Sequence, residues 1–257
     1  TTVILWSSAM ASPSAEQRPV IAIVGAGAVG CFLGALLHRA GIEVRFLLRR
    51  SARSAALLRT LAREGLVAGC STDAAFKQEI APGDIPTVFG TDAARALHGC
   101  SCVLVATKRT ANAQVQQQLA PHVGKSCPVA FLQNGLSIRK DLAEPIAFEA
   151  IESVVNFNVT QDFERGTVTL TQALEEAHLI LDGAQPSARW LAALFGRTPL
   201  RTGVSDAFEA VQRGKLLLNM TNAVNALSGQ AIGPMFFDPA YRRVLAASIS
   251  EATAVFE

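Results

Sequence analysis

No apolar stretch in this 257-residue sequence reaches the roughly 18 residues that a membrane-spanning helix requires, so no membrane partner is expected. A basic run is missing too. The net charge is only +2 and the arginines are scattered through helical segments, which argues against nucleic acid or an anionic membrane surface as a partner. The five cysteines (Cys31, Cys70, Cys100, Cys102 and Cys127) contain no C-x-x-C pair, which removes the common zinc and redox-dithiol patterns and fits a reducing, cytoplasmic setting. His98, Cys100 and Cys102 lie close together, but Cys102 opens an apolar run that continues to Ala106, so no metal is expected there. Thr1 to Trp6 is apolar without the basic flank or long core of a signal peptide.

What is present suits a buried core: hydrophobic residues make up 50% of the chain and charged residues 17%. Residues 1–18 read as a Ser-, Ala- and Pro-rich tail, expected to be disordered, within which Met10 is an alternative start. Val20 to Val24 is a continuous apolar run, as in a parallel strand covered on both faces, and it leads directly into Gly25-Ala26-Gly27-Ala28-Val29-Gly30. The spacing of Val29, Phe32, Leu33, Leu36 and Leu37 predicts a helix over 29–40. Val44 to Leu48, Cys102 to Ala106 and Val129 to Leu132 read as further strands, with a helix from about Thr110 to Leu119. This alternation predicts an α/β fold, a doubly wound parallel sheet of Rossmann type over residues 19–205. Two threonine-rich or alternating segments, Thr167 to Thr171 and Ala177 to Leu181, read as antiparallel edge strands. Pro186 to Phe195 reads as a helix. Residues 206–257 have helical periodicity, broken around Gly229 to Pro239, and predict an all-helical domain.

In a strand–turn–helix context, G-x-G-x-x-G binds a dinucleotide. Gly25 permits the turn, Gly27 clears the approach of a pyrophosphate, Gly30 allows close helix–sheet packing, and the amides around Ala26, Ala28 and Val29 face the phosphates. The second strand ends in Arg49-Arg50-Ser51 with no acidic residue, the pattern expected where the ribose carries a 2′-phosphate, so the cofactor expected is NADPH. Lys108 and Asn134 follow later strands and lie at the carboxyl edge of the sheet, within reach of the cofactor.

In Lys215-Leu-Leu-Leu-Asn219-Met-Thr-Asn222, helical spacing puts Lys215, Asn219 and Asn222 on one stripe between broad apolar faces. That breadth predicts a helix buried on most sides, with the stripe lining a cleft. An ammonium there can stabilise a developing alkoxide and protonate it, more readily if its surroundings lower its pKa, and the two asparagines would orient the lysine and the substrate. Glu251, in a last helix of about 240–256, is a candidate partner of the lysine.

The five motifs at Ile23 to Gly30, Arg49, Lys108, Gln133 to Gly135 and Lys215 to Asn219 resemble the ketopantoate reductase family, which reduces 2-dehydropantoate to pantoate with NADPH in coenzyme A biosynthesis. The resemblance implies that Lys215 is the proton donor. It also implies that Asn219, Asn222, Asn134 and Glu251 face the substrate, and that Asn134 also touches the nicotinamide. Two features depart from it. Many members place the second asparagine eight residues after the lysine, where this chain has Ala223, with Asn222 at seven. The family's helical domain also continues for some tens of residues past the equivalent of Glu257, with a substrate-binding serine and a cofactor-binding glutamate, so the helical domain is expected to be incomplete. Two further readings stay open: an NADP-binding sensor without turnover, and a related hydroxy-acid or opine dehydrogenase. A shortened helical domain would leave apolar surface exposed and invite a homodimer.

Overall fold

A computed structural model describes residues 4–6 and 18–256, so Met10 and most of the tail lie outside the described residues. The first half of the chain runs β1 (Ile4–Trp6), β2 (Val20–Val24), α1 (Ala28–Arg39), β3 (Glu43–Leu48), α2 (Ala52–Glu64), β4 (Leu66–Cys70), β5 (Lys77–Ile80), β6 (Thr87–Phe89), α3 (Ala93–Leu97), β7 (Cys102–Val105), α4 (Asn112–Leu119) and β8 (Val129–Phe131). It continues with β9 (Ala150–Asn156), β10 (Val159–Asp162), β11 (Thr167–Leu170), β12 (His178–Asp182), α5 (Ala188–Phe195), β13 (Arg201–Ser205), α6 (Phe208–Ser228), α7 (Ile232–Phe237) and α8 (Pro239–Phe256).

Nine strands form one sheet in the order β6-β3-β2-β7-β8-β9-β12-β13-β1. The six from β6 to β9 are all parallel, so their carboxyl ends share one edge. Strand order reverses between β2 and β7, the crevice where open α/β sheets take their ligands. β2 and β7 are buried almost throughout, which is why they read as unbroken apolar runs and not as alternating ones.

A second sheet, ordered β10-β11-β4-β5, covers the outer face of α1. Every residue from Gly30 to Leu37 is therefore buried, not only the stripe facing the large sheet. Burying Phe32, Leu33, Leu36 and Leu37 contributes roughly 2 kcal/mol each.

Three expectations need correction. Ile4–Trp6 is ordered and pairs antiparallel with β13. Gly203 leaves room for it, since a Cβ there would lie 2.7 Å from Ile4 and 3.0 Å from Trp6, and the Trp6 ring lies 4.7 Å from the Arg201 guanidinium. Neither threonine-rich nor alternating segment is an edge strand: β11 lies between β10 and β4 and runs parallel to β4, while β12 lies between β9 and β13 and runs parallel to β13. Finally, α6 is not buried on most sides. Only Phe208, Gln212 and Val224 are buried, and Leu218 is 67% exposed, because β9, β13, α7 and α8 pack against only part of the helix.

Candidate active site

The shared carboxyl edge collects four turns. β2 ends in Gly25–Gly27, β7 in Ala106–Lys108, β8 in Leu132–Gly135, and β9 in Asn156. At the first, Gly25 adopts φ +98°, and a Cβ on it would lie 3.0 Å from Thr107 Cγ2. The Gly25 amide donates to the Leu47 carbonyl at 3.0 Å and the Ala106 amide to the Val24 carbonyl at 2.9 Å, which fixes the turn between its neighbours. A Cβ on Gly30 would lie 2.2 Å from the Gly25 carbonyl oxygen, so α1 starts against the turn at a distance only glycine allows. Gly27 differs: a Cβ there would meet nothing within 4 Å, because it faces an open cleft.

That cleft, of about 480 Å³, is bordered by Gly25 to Val29, by Arg49, Ser51 and Arg53 after β3, and by Thr107 and Lys108 after β7. Arg49 and Lys108 are exposed. Ser51 caps α2, its side chain accepting from the Ser54 amide at 3.0 Å. Arg53 lies over the Phe163 ring at 4.0 Å, so the loop between β10 and β11 closes that end of the cleft. Gln161 reaches the fingerprint turn from the same hairpin, donating to the Ala26 carbonyl at 3.4 Å.

Beneath the turns lies a polar network that the sequence reading missed. Asn112 and Gln133 bond to each other through both amide groups, and Gln133 also donates to the Thr107 carbonyl at 3.0 Å. Arg109 donates to both carboxylate oxygens of Asp141 and, at 2.7 Å, to the Leu136 carbonyl. The guanidinium holds the Asp141 carboxyl below its ordinary pKa, chiefly by hydrogen bonding. This network holds the Gln133–Gly135 turn to the loop after β7. Asn134, at its tip, is exposed.

Strand β9 carries the third group. Glu152, Val154 and Asn156 share one face of the strand by its two-residue period, and α6 crosses that face. Gln212 donates to Glu152 at 2.6 Å, Phe208 and Val211 cluster with Val154, and Lys215 Nζ donates to Asn156 Oδ1 at 3.0 Å. Lys215 is half-buried, and desolvation pushes its pKa below the ordinary lysine value.

The other residues expected near the lysine are distributed differently. Asn219 is half-buried one turn after Lys215, and Asn222 is exposed. Neither side chain hydrogen-bonds to the lysine, so the orienting amide is that of Asn156, 59 residues upstream. Glu251 is exposed on α8 and lines a groove of about 500 Å³ with Met220, Ala223 and Val224 of α6, a lining in which Lys215 takes no part. Glu251 therefore sits opposite Met220 and Val224, past the lysine along α6. The groove is largely apolar and Leu227 at its rim is 90% exposed. Among the described residues, no three His, Cys, Asp or Glu side chains form a metal-binding group, and no helix is long and apolar enough to cross a membrane.

A family model described as ketopantoate reductase PanE/ApbA matches residues 21–179. The 2-dehydropantoate 2-reductase of Nostoc sp. is 32% identical over 123 residues, 48% of this chain, and the match spans about a third, 34%, of that relative's length. Among solved structures, the PanE/ApbA family ketopantoate reductase of Ralstonia eutropha is similar with a TM-score of 0.76 at 25% identity, covering 92% of this chain and 73% of its own. The 2-dehydropantoate 2-reductase of Geobacter metallireducens gives a TM-score of 0.73 at 26% identity, covering 91% of this chain and 74% of its own.

Proposed function

The chain belongs to the ketopantoate reductase PanE/ApbA family, and from that premise we propose that it reduces a small 2-oxo acid, 2-dehydropantoate first among the candidates, to the 2-hydroxy acid with NADPH. The observation that carries the reading is the Lys215–Asn156 hydrogen bond at the carboxyl end of β9, on the same sheet edge as the Gly25–Gly30 turn.

The residues suit the cofactor. Gly27 leaves open space above the turn, and the free amides at the start of α1 supply donors to phosphate oxygens. Arg49 borders the same cleft where a ribose 2′-phosphate needs a cation, and Lys108 adds a second positive charge. Bound NADPH would supply the hydride. Lys215 would supply the proton: its ammonium has three donors, one held by Asn156, which leaves two for the substrate oxygen. The lowered pKa makes proton release to a developing alkoxide easier. Asn219 and Asn134 are the amides we assign to the substrate, and Asn134 also to the nicotinamide. Asn222 and Glu251 we assign a lesser part, at the outer rim.

The test is NADPH oxidation by purified protein against a panel of 2-oxo acids, 2-dehydropantoate and aromatic 2-oxo acids included, for wild type and Lys215→Ala. Turnover that the variant loses supports the reading. NADPH binding without turnover by the wild type overturns it in favour of a cofactor-binding protein.

A further inference from the structure

The three contacts between β9 and α6 are not of one kind. The middle one, Val154 against Phe208, is apolar packing. The flanking two are polar, and the Glu152–Gln212 pair is buried, with Glu152 at 7% and Gln212 at 6% exposure. A carboxylate so deep costs desolvation that a neutral amide partner repays only in part, and an apolar pair of the same shape would pack there at lower cost. Stability alone does not account for it.

Its placement does. Gln212 lies three residues before Lys215, on the same side of α6, and its amide also reaches the Gly135 carbonyl at 3.5 Å. One side chain thus joins β9, α6 and the turn that carries Asn134. We propose that Glu152 and Gln212 are a positioning pair for the proton donor: the carboxylate, acting through the Gln212 amide, fixes the rotation of α6 about its axis and so aims Lys215 at the space beside the Asn134–Gly135 turn. A slip of α6 by one residue would swing the lysine by about 100°, away from Asn156. The charged groups near this contact are Glu152, Arg109 across the turn, and Glu209 and Arg213 of α6, which pair with each other. The inference rests on the reading of Lys215 as the acid.

The test uses the whole chain with Gln212→Ala, Glu152→Leu and Glu152→Gln, the last of which keeps an oxygen acceptor for Gln212. Three quantities are compared with wild type: NADPH dissociation constant, kcat against KM for the best 2-oxo acid, and the titration midpoint of Lys215 by carbon-13 NMR on lysine-labelled protein, which has only five lysines to assign. Gln212→Ala and Glu152→Leu are expected to fold, to bind NADPH as wild type does, and to lose kcat by about tenfold to a hundredfold, the effect of a small misalignment. Their Lys215 midpoint should rise towards the ordinary lysine value as the side chain swings into water, while Glu152→Gln keeps most of kcat. An unchanged kcat and Lys215 midpoint in Gln212→Ala overturns the proposal, as does a loss of kcat that only tracks the loss of folded protein. If the wild type reduces no 2-oxo acid, the reading of the reaction fails, and the Lys215 midpoint alone then decides whether the pair positions the lysine.

Discussion

Asn112 and Gln133 exchange two amide hydrogen bonds, at 2.9 and 2.7 Å, beneath the turns that border the cleft. Both side chains are buried, and beyond their mutual bonds Asn112 donates to Asp141 at 3.3 Å and Gln133 to the Thr107 carbonyl at 3.0 Å. Gln133→Ala would leave Asn112 Oδ1 and the Thr107 carbonyl without their donor, at a cost of about 3 kcal/mol for buried groups left unpaired. Urea denaturation should show this as a lower midpoint at unchanged slope. A change below about 0.5 kcal/mol would mean that water replaces the side chain and that the pair is not a structural clamp.

The Gln-Asn-Gly motif was legible as a turn, but not in this division of labour. Asn134 is the exposed tip, while Gln133 serves the fold, and no local spacing distinguishes the two. What the sequence shows best is what depends on neighbours along the chain: the apolar runs of β2 and β7, the glycines of the turn, and the period of α1. Of the second sheet only Thr167 to Thr171 was legible as a strand: β5 is Lys-Gln-Glu-Ile, without an apolar signature, and β4 is a short apolar run interrupted by Gly69. Lys215 could be picked out as a polar break in an apolar helix, yet its partner Asn156 could not, since nothing local links residues 59 apart. The breadth of apolar residues on α6 suggested burial on most sides. It reflects instead the groove against α8, whose rim is open among the described residues.

Gly27 and Gly30 should separate binding from folding. Gly27→Ala meets no protein atom within 4 Å at a φ of −78° that alanine adopts freely, so stability should change by less than about 1 kcal/mol. The added methyl would stand where a pyrophosphate approaches, and NADPH affinity should fall at least tenfold. Gly30→Ala forces a Cβ to within 2.2 Å of the Gly25 carbonyl oxygen, and both melting temperature and NADPH affinity should fall. Thermal melts with and without NADPH, together with fluorescence titration, check the pair. Equal behaviour of the two variants would refute this assignment.

Arg49 should decide between the two nicotinamide cofactors. It is exposed beside the cleft, and a charge-assisted bond to a 2′-phosphate contributes about 1.5–3 kcal/mol, or about tenfold to a hundredfold in affinity. Arg49→Ala should raise KM for NADPH by that factor and leave KM for NADH unchanged. A parallel rise for both cofactors in initial-rate measurements would show that Arg49 does not read the phosphate.

Lys215 sets the expected pH profile. As the acid it acts in the protonated form, so kcat/KM should fall as pH rises through its pKa, and burial brings that limb below the ordinary lysine value of about 10.4. Lys215→Ala should lower kcat by about 10²- to 10⁴-fold, the usual contribution of a general acid. Asn156 tests whether the limb belongs to this ammonium. Asn156→Asp would put a carboxylate where the amide oxygen now accepts the hydrogen bond, favour the charged lysine and move the limb to higher pH. Asn156→Leu would remove the acceptor and move it to lower pH. If the limb stays where it is in both variants, the group that titrates is not Lys215, and the proton must come from elsewhere.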